Sequence, residues 1–217
     1  MSSIPALALA CLVFVGTHFL LSHPLRPGLV ARLGERRFQS LYSVVAIITF
    51  AGMIWVYGRI GDQAPLWSIG EPGWIAATVL MWFAAILLVG SFVGNPALPG
   101  ARRVSEPRGV LAITRHAMMW SFALWAIVHL ALVATPKAML LDGAILVLAL
   151  GGSVGQDAKK RRLMGARWHE WAAQTAFVPF ARGLKSPGAF ALVGGTLLFL
   201  AATWLHPFPV GIWRSIG

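Results

Sequence analysis

The sequence predicts an all-α, polytopic transmembrane helix bundle of about six spans, with short cytoplasmic amphipathic helices between them. Three observations carry this. The 217 residues are 58% hydrophobic and 12% charged, with mean hydropathy +0.73, outside the range of ordinary soluble domains. The apolar residues collect into runs near the ~20 residues that a helix needs to cross hydrocarbon. Of the 18 Lys and Arg residues, fifteen fall in alternate connections between those runs.

The runs are Ile4–His23, Leu41–Gly58, Gly73–Gly94, His116–Ala134, Ala138–Gly155 and Ala189–His206. Ala6 to Ala10 has the small-residue look of a cleavage site, but no Lys or Arg precedes the run, which continues through Phe19-Leu20-Leu21. It is therefore taken as the first span rather than a signal peptide. Pro24 to Gly28 breaks that helix, and apolar residues at Leu29, Leu33, Phe38 and Leu41 predict a short cationic interfacial helix over 29–41. Arg59 to Pro72 reads as an outer loop with an interfacial aromatic at Trp67. Asn95 to Gly109, rich in Pro and Gly, is an irregular lead-in that delivers His116 to the membrane edge. Leu163, Trp168 and Trp171 recur at helical spacings among five basic residues and predict an amphipathic cytoplasmic helix within 157–175 that extends the fifth span or bends off it. Trp204, Phe208 and Trp213 read as an outer aromatic belt. One domain covers 1–217.

The charge pattern sets the sidedness. Arg26, Arg32, Arg36 and Arg37, then Arg102, Arg103, Arg108 and Arg115, then Lys159, Lys160, Arg161, Arg162, Arg167, Arg182 and Lys185 occupy odd-numbered connections; only Arg59, Lys137 and Arg214 lie elsewhere. This is the positive-inside pattern, with the basic loops cytoplasmic and membrane lipid as their partner. The net charge of +11 is thereby explained without nucleic acid. The single cysteine, Cys11, allows neither an intramolecular disulfide nor a paired-thiol site.

Six histidines remain. His18 and His116 stand inside spanning runs near the same predicted face, where an ionisable side chain is expensive and marks a functional site. Two imidazoles in one leaflet match the needs of a haem held between helices, with Arg26, Arg32 and Arg115 as cations for its propionates. The plainer alternative makes each a helix-end residue reaching toward headgroups. His23 and His169 read as interfacial. His129 lies ~20 Å beyond His116 on the same helix and on another face, so it does not share that iron; with His206 it forms a weaker outer pair. No HExxH, GxSxG, phosphate loop or dinucleotide fingerprint is present in a suitable setting. Asp157 reads either as a functional carboxylate or, as easily, as a boundary residue after Gly155 offsetting its basic neighbours.

The ordered blocks Gly16-Thr17-His18-Phe19-Leu20-Leu21-Ser22-His23-Pro24-Leu25-Arg26 with Leu33-Gly34-Glu35-Arg36 and Leu41-Tyr42-Ser43, then Gly109 to His116 with Trp125 and His129, then Phe177-Val178-Pro179-Phe180 resemble the NnrU family over nearly the whole chain. The resemblance implies a link to nitrite and nitric oxide metabolism in denitrification, with a hydrophobic small molecule or a diatomic ligand as what is bound. Through the related zeta-carotene isomerase it also implies haem b, with iron ligands falling on His18 and His116, and, if the chain is an enzyme, cis–trans isomerisation of a polyene. The family's Arg-His-Pro is Arg115-His116-Ala117 here. A second resemblance, in the order Arg115-His116, Asp157, Gly165, Trp168, Trp171, Val178-Pro179, is to membrane methyltransferases that use S-adenosylmethionine; a haem-free accessory factor is a further alternative.

Overall fold

The computed structural model describes residues 3–98 and 106–215, all helix and connecting loop. In chain order the helices are α1 Ile4–Ser22, α2 Arg26–Leu33, α3 Glu35–Gly58, α4 Glu71–Gly90, α5 Val110–Ile113, α6 Ala117–Leu132, α7 Pro136–Met164, α8 Ala166–Gln174 and α9 Ala189–Trp204, followed by a 3-10 turn at Gly211–Ser215. Four of them, α1, α3, α4 and α7, are long and apolar enough to cross a membrane. Helices α6 and α9 are apolar and 16 residues each.

Two predicted boundaries move, both at glycines. The expected interfacial helix over 29–41 is divided: Gly34 takes φ 78° and ends α2, and its second half becomes the first turns of α3. A left-handed backbone is cheap only for glycine, so the apolar spacing continued across a break that it could not reveal. Likewise the polar segment after 157 is two helices. Helix α7 runs on to Met164, and Gly165 at φ 54° turns the chain into α8. Part of the predicted lead-in before His116, residues 99–105, lies outside the described residues; its end forms α5.

The chain divides into two units, one of Met1–Ser68 with His129–Gly152, the other of Ile69–Val128 with Ser153–Gly217. In the first, α1 packs on α3, burying Leu7, Cys11, Phe14 and Met53. Cys11 Sγ donates to the Leu140 carbonyl at 3.6 Å, and Phe19 fills the space that Gly151 leaves without a side chain. At one end Leu66 N donates to Ala134 O at 2.7 Å, and Lys137 Nζ donates to the carbonyls of Ile60 and Gly61 at 3.0 and 3.2 Å. Those carbonyls follow the end of α3, where helical partners run out.

In the second unit α4 and α9 lie side by side. Gly195 makes this possible, since a Cβ there would run into the Ile86 backbone. Small residues at such crossings let helices in lipid approach closely where no hydrophobic drive pushes them together. The buried core of this unit joins Ile86 and Leu87 of α4, Val110, Leu111 and Ile113 of α5, Ala117 of α6, Trp168 and Trp171 of α8, and Ala191 of α9. Trp168 and Trp171, expected at a membrane surface, are 0% and 1% exposed and face protein. A helical apolar stripe has the same spacing whether lipid or protein covers it.

Candidate functional site

His18 and His116 fall in different units, and their surroundings differ. His18 sits in the last part of α1. Its Nδ1 lies 2.7 Å from the Phe14 carbonyl one turn earlier, so that nitrogen carries the ring proton. Phe14 meets the ring edge-on at 4.5 Å and Tyr42 of α3 at 5.5 Å. Among the described residues Nε2 has no hydrogen-bond partner. An imidazole whose one nitrogen is tied to a backbone carbonyl and whose other keeps a lone pair is the arrangement that metal-binding histidines adopt.

His116 is placed by α5 and the start of α6, and its side chain is fully enclosed. Nε2 lies 2.9 Å from Asp157 Oδ1, and Nδ1 lies 3.1 Å from Gln156 Oε1. Both nitrogens therefore face protein acceptors. An axial ligand to iron needs one nitrogen open; His18 offers it, and His116 offers one only by giving up Asp157 or Gln156.

The two arginines are also engaged. Arg26 Nη2 reaches both carboxylate oxygens of Glu35 at 2.7 Å, a partly exposed pair that also covers the Phe38 ring. Arg115 is buried. Its Nε donates to Asp157 Oδ1 and Oδ2 at 3.1 Å each, Nη2 to Oδ2 at 2.7 Å, and Nη1 to the Thr175 carbonyl at 3.2 Å. Charge-assisted forked contacts of this kind are the strongest that a carboxylate accepts. Arg161, one turn along α7, adds a looser contact at 3.8 Å.

Around this cluster residues 175–180 form a strap against 113–120. Arg115 N donates to Ala176 O, and Phe180 N to Ile113 O. Thr114 Oγ1 and Trp120 Nε1 both donate to Phe177 O, at 2.7 and 2.8 Å. The Phe177 ring packs on His116 at 5.0 Å and under the Arg115 guanidinium at 5.3 Å. From the other side, Gln156 Nε2 donates to Ala97 O and Lys160 Nζ to Pro96 O. The second and third sequence blocks thus close on each other, with Arg115, His116 and Asp157 as the centre.

Sequence reasoning singled out Arg115 and His116 and left Asp157 open between a functional carboxylate and a boundary residue; the structure makes Asp157 the group that holds both. It passed over Asp142, whose signal was available: it is the one charged residue between Ala138 and Gly155, and it is 2% exposed. His23 bonds Ser22 Oγ through Nδ1 at 2.7 Å, and its Nε2 is buried without a partner. His169 is exposed on α8 and His206 contacts Phe208.

Comparison with known proteins gives one result. The family model described as NnrU protein matches residues 6–214 of the chain. No curated protein and no solved structure matches.

Proposed function

Since the chain belongs to the NnrU family, we propose that it is a six-span inner-membrane protein that carries haem b on His18 and serves nitrite- and nitric-oxide-linked metabolism. The observation that supports the cofactor is the Phe14 carbonyl on His18 Nδ1, which leaves Nε2 for iron and fixes the ring between Phe14 and Tyr42. Bound haem would supply a redox-active iron able to take a small nitrogen-oxide ligand.

Each residue then has a part. Phe14 and Tyr42 pack edge-on against His18, with Phe50 against Phe14, and would give a bound haem an aromatic setting there. Arg26, in a partly exposed pair with Glu35, is the cation that can turn to a propionate at little cost, because such pairs contribute little. Arg115 and His116 brace the fold through Asp157. Helices α6 and α9, each ~24 Å long at ~1.5 Å per residue, complete crossings with the apolar residues that flank them. The basic connections lie on the cytoplasmic side, as the positive-inside rule requires.

The test is the absorption spectrum of detergent-purified protein made with ample haem, oxidised and dithionite-reduced, for wild type, His18→Ala and His116→Ala. Reduced haem bands in wild type, absent from His18→Ala and kept in His116→Ala, are expected. Loss of the bands in a folded His116→Ala protein would make His116 the second axial ligand, released from Asp157 and Gln156. A featureless wild-type spectrum overturns the haem reading.

A further inference from the structure

Two buried aspartates on α7 are treated in opposite ways. Asp157 is met by four donor contacts within hydrogen-bonding distance, three from Arg115 and one from His116, excluding the looser Arg161. Asp142, 2% exposed, has no hydrogen bond or ion pair among the described residues. It lies in the apolar part of a helix long enough to cross a membrane. An ionisable side chain at such a depth is costly, and where proteins retain one it marks a path for ions or protons.

The groups around it belong to the first unit. On α3, Tyr57 faces Lys137 of α7, and Arg59 lies over the Trp55 ring at 4.8 Å. On α7 itself, Lys137 lies 5.2 Å from the Tyr57 ring centroid, with Nζ on the Ile60 and Gly61 carbonyls. On α1, Cys11 contacts the carbonyl of Leu140, two residues before Asp142. Asp62 follows in the loop after α3, and His129 lies near the end of α6. Lys137 is turned to carbonyls and Arg59 to an indole, so neither cation neutralises Asp142. A resident metal ion would need further oxygen ligands, and no second acidic side chain stands beside Asp142 on α7.

We propose that Asp142 is a proton-exchange site inside the membrane span, reached from the end of the unit where Lys137 and residues 59–63 lie. The step is the addition of one proton from water to the carboxylate, giving the neutral acid, and its release. No electron moves and no other bond changes. The side chain is then a place where the protein stores a proton within the hydrocarbon, and it is independent of whether haem is bound at His18.

Infrared difference spectroscopy of the full chain in lipid nanodiscs tests this, with pH changed by perfusion. Acidification of wild type is expected to raise a protonated-carboxyl C=O band that moves in deuterated water. Asp142→Asn should lack that band and Asp142→Glu should restore one at a shifted position. Should neither variant fold, wild type grown on carbon-13-labelled aspartate must show the band displaced. Superimposable pH-difference spectra for wild type and folded Asp142→Asn, or a band that labelled aspartate leaves in place, overturn the proposal. Haem spectra recorded on the same samples report separately on the His18 reading.

Discussion

Arg115 and Asp157, 42 positions apart in sequence, meet in a buried forked ion pair that ties the start of α6 to α7 and to the strap at Thr175. Side-chain exposures of 11% and 6% put it where neither charge recovers its hydration if the other is removed. Breaking such a pair from one side costs about 3–5 kcal/mol, while replacing both partners with apolar groups of similar size is close to neutral. Thermal unfolding of Asp157→Leu, Arg115→Met and the double variant should therefore show two damaged single variants and a double variant more stable than either. Additive losses would mean the two charges are not coupled.

Arg26 and Glu35 use the same chemistry with partners 18% and 49% exposed. Exposed pairs contribute about 0–1 kcal/mol. Glu35→Gln should shift the unfolding midpoint only slightly, and high salt should remove the difference. A loss matching that of Asp157→Leu would show that burial is not what separates the two pairs.

Phe177 O accepts from both Thr114 Oγ1 and Trp120 Nε1. Either donor alone keeps the carbonyl satisfied, so Thr114→Val and Trp120→Phe should each cost about 1 kcal/mol. Together they leave a partly buried carbonyl unpaired and should cost more than the sum, read as a positive interaction energy of destabilisation in a double-mutant cycle.

Gly195 has no room for a side chain against Ile86. Gly195→Ala should force α9 off α4 and cost about 1–3 kcal/mol. Gly143, with nothing within 4 Å of a built Cβ, is the matched control: Gly143→Ala should hold or slightly raise stability, since alanine is favoured over glycine inside a helix. Equal loss at both sites in a detergent melt would count against close helix contact as the cause.

What could be read from the sequence followed from where energy is local. Long apolar runs found α1, α3, α4 and α7 because the cost of leaving backbone unbonded in hydrocarbon leaves helix as the open choice. His18 stood out for the same reason, and its bond to Phe14 is local, one turn away on its own helix. Asp142 was equally legible as a lone acid in an apolar run.

The rest depended on contacts between residues far apart. Nothing near Asp157 in sequence announces Arg115 and His116 as its partners, and nothing in the spacing of Trp168 and Trp171 distinguishes a lipid face from a protein core. The breaks at Gly34 and Gly165 came from backbone conformations that periodicity does not register. By itself the sequence determined which segments are helical and apolar, because that is set by each residue's transfer energy and backbone hydrogen bonding. Which histidine keeps an open nitrogen and which is closed by Gln156 and Asp157 was decided by tertiary structure, because a hydrogen bond is a matter of distance and direction between groups brought together only by folding.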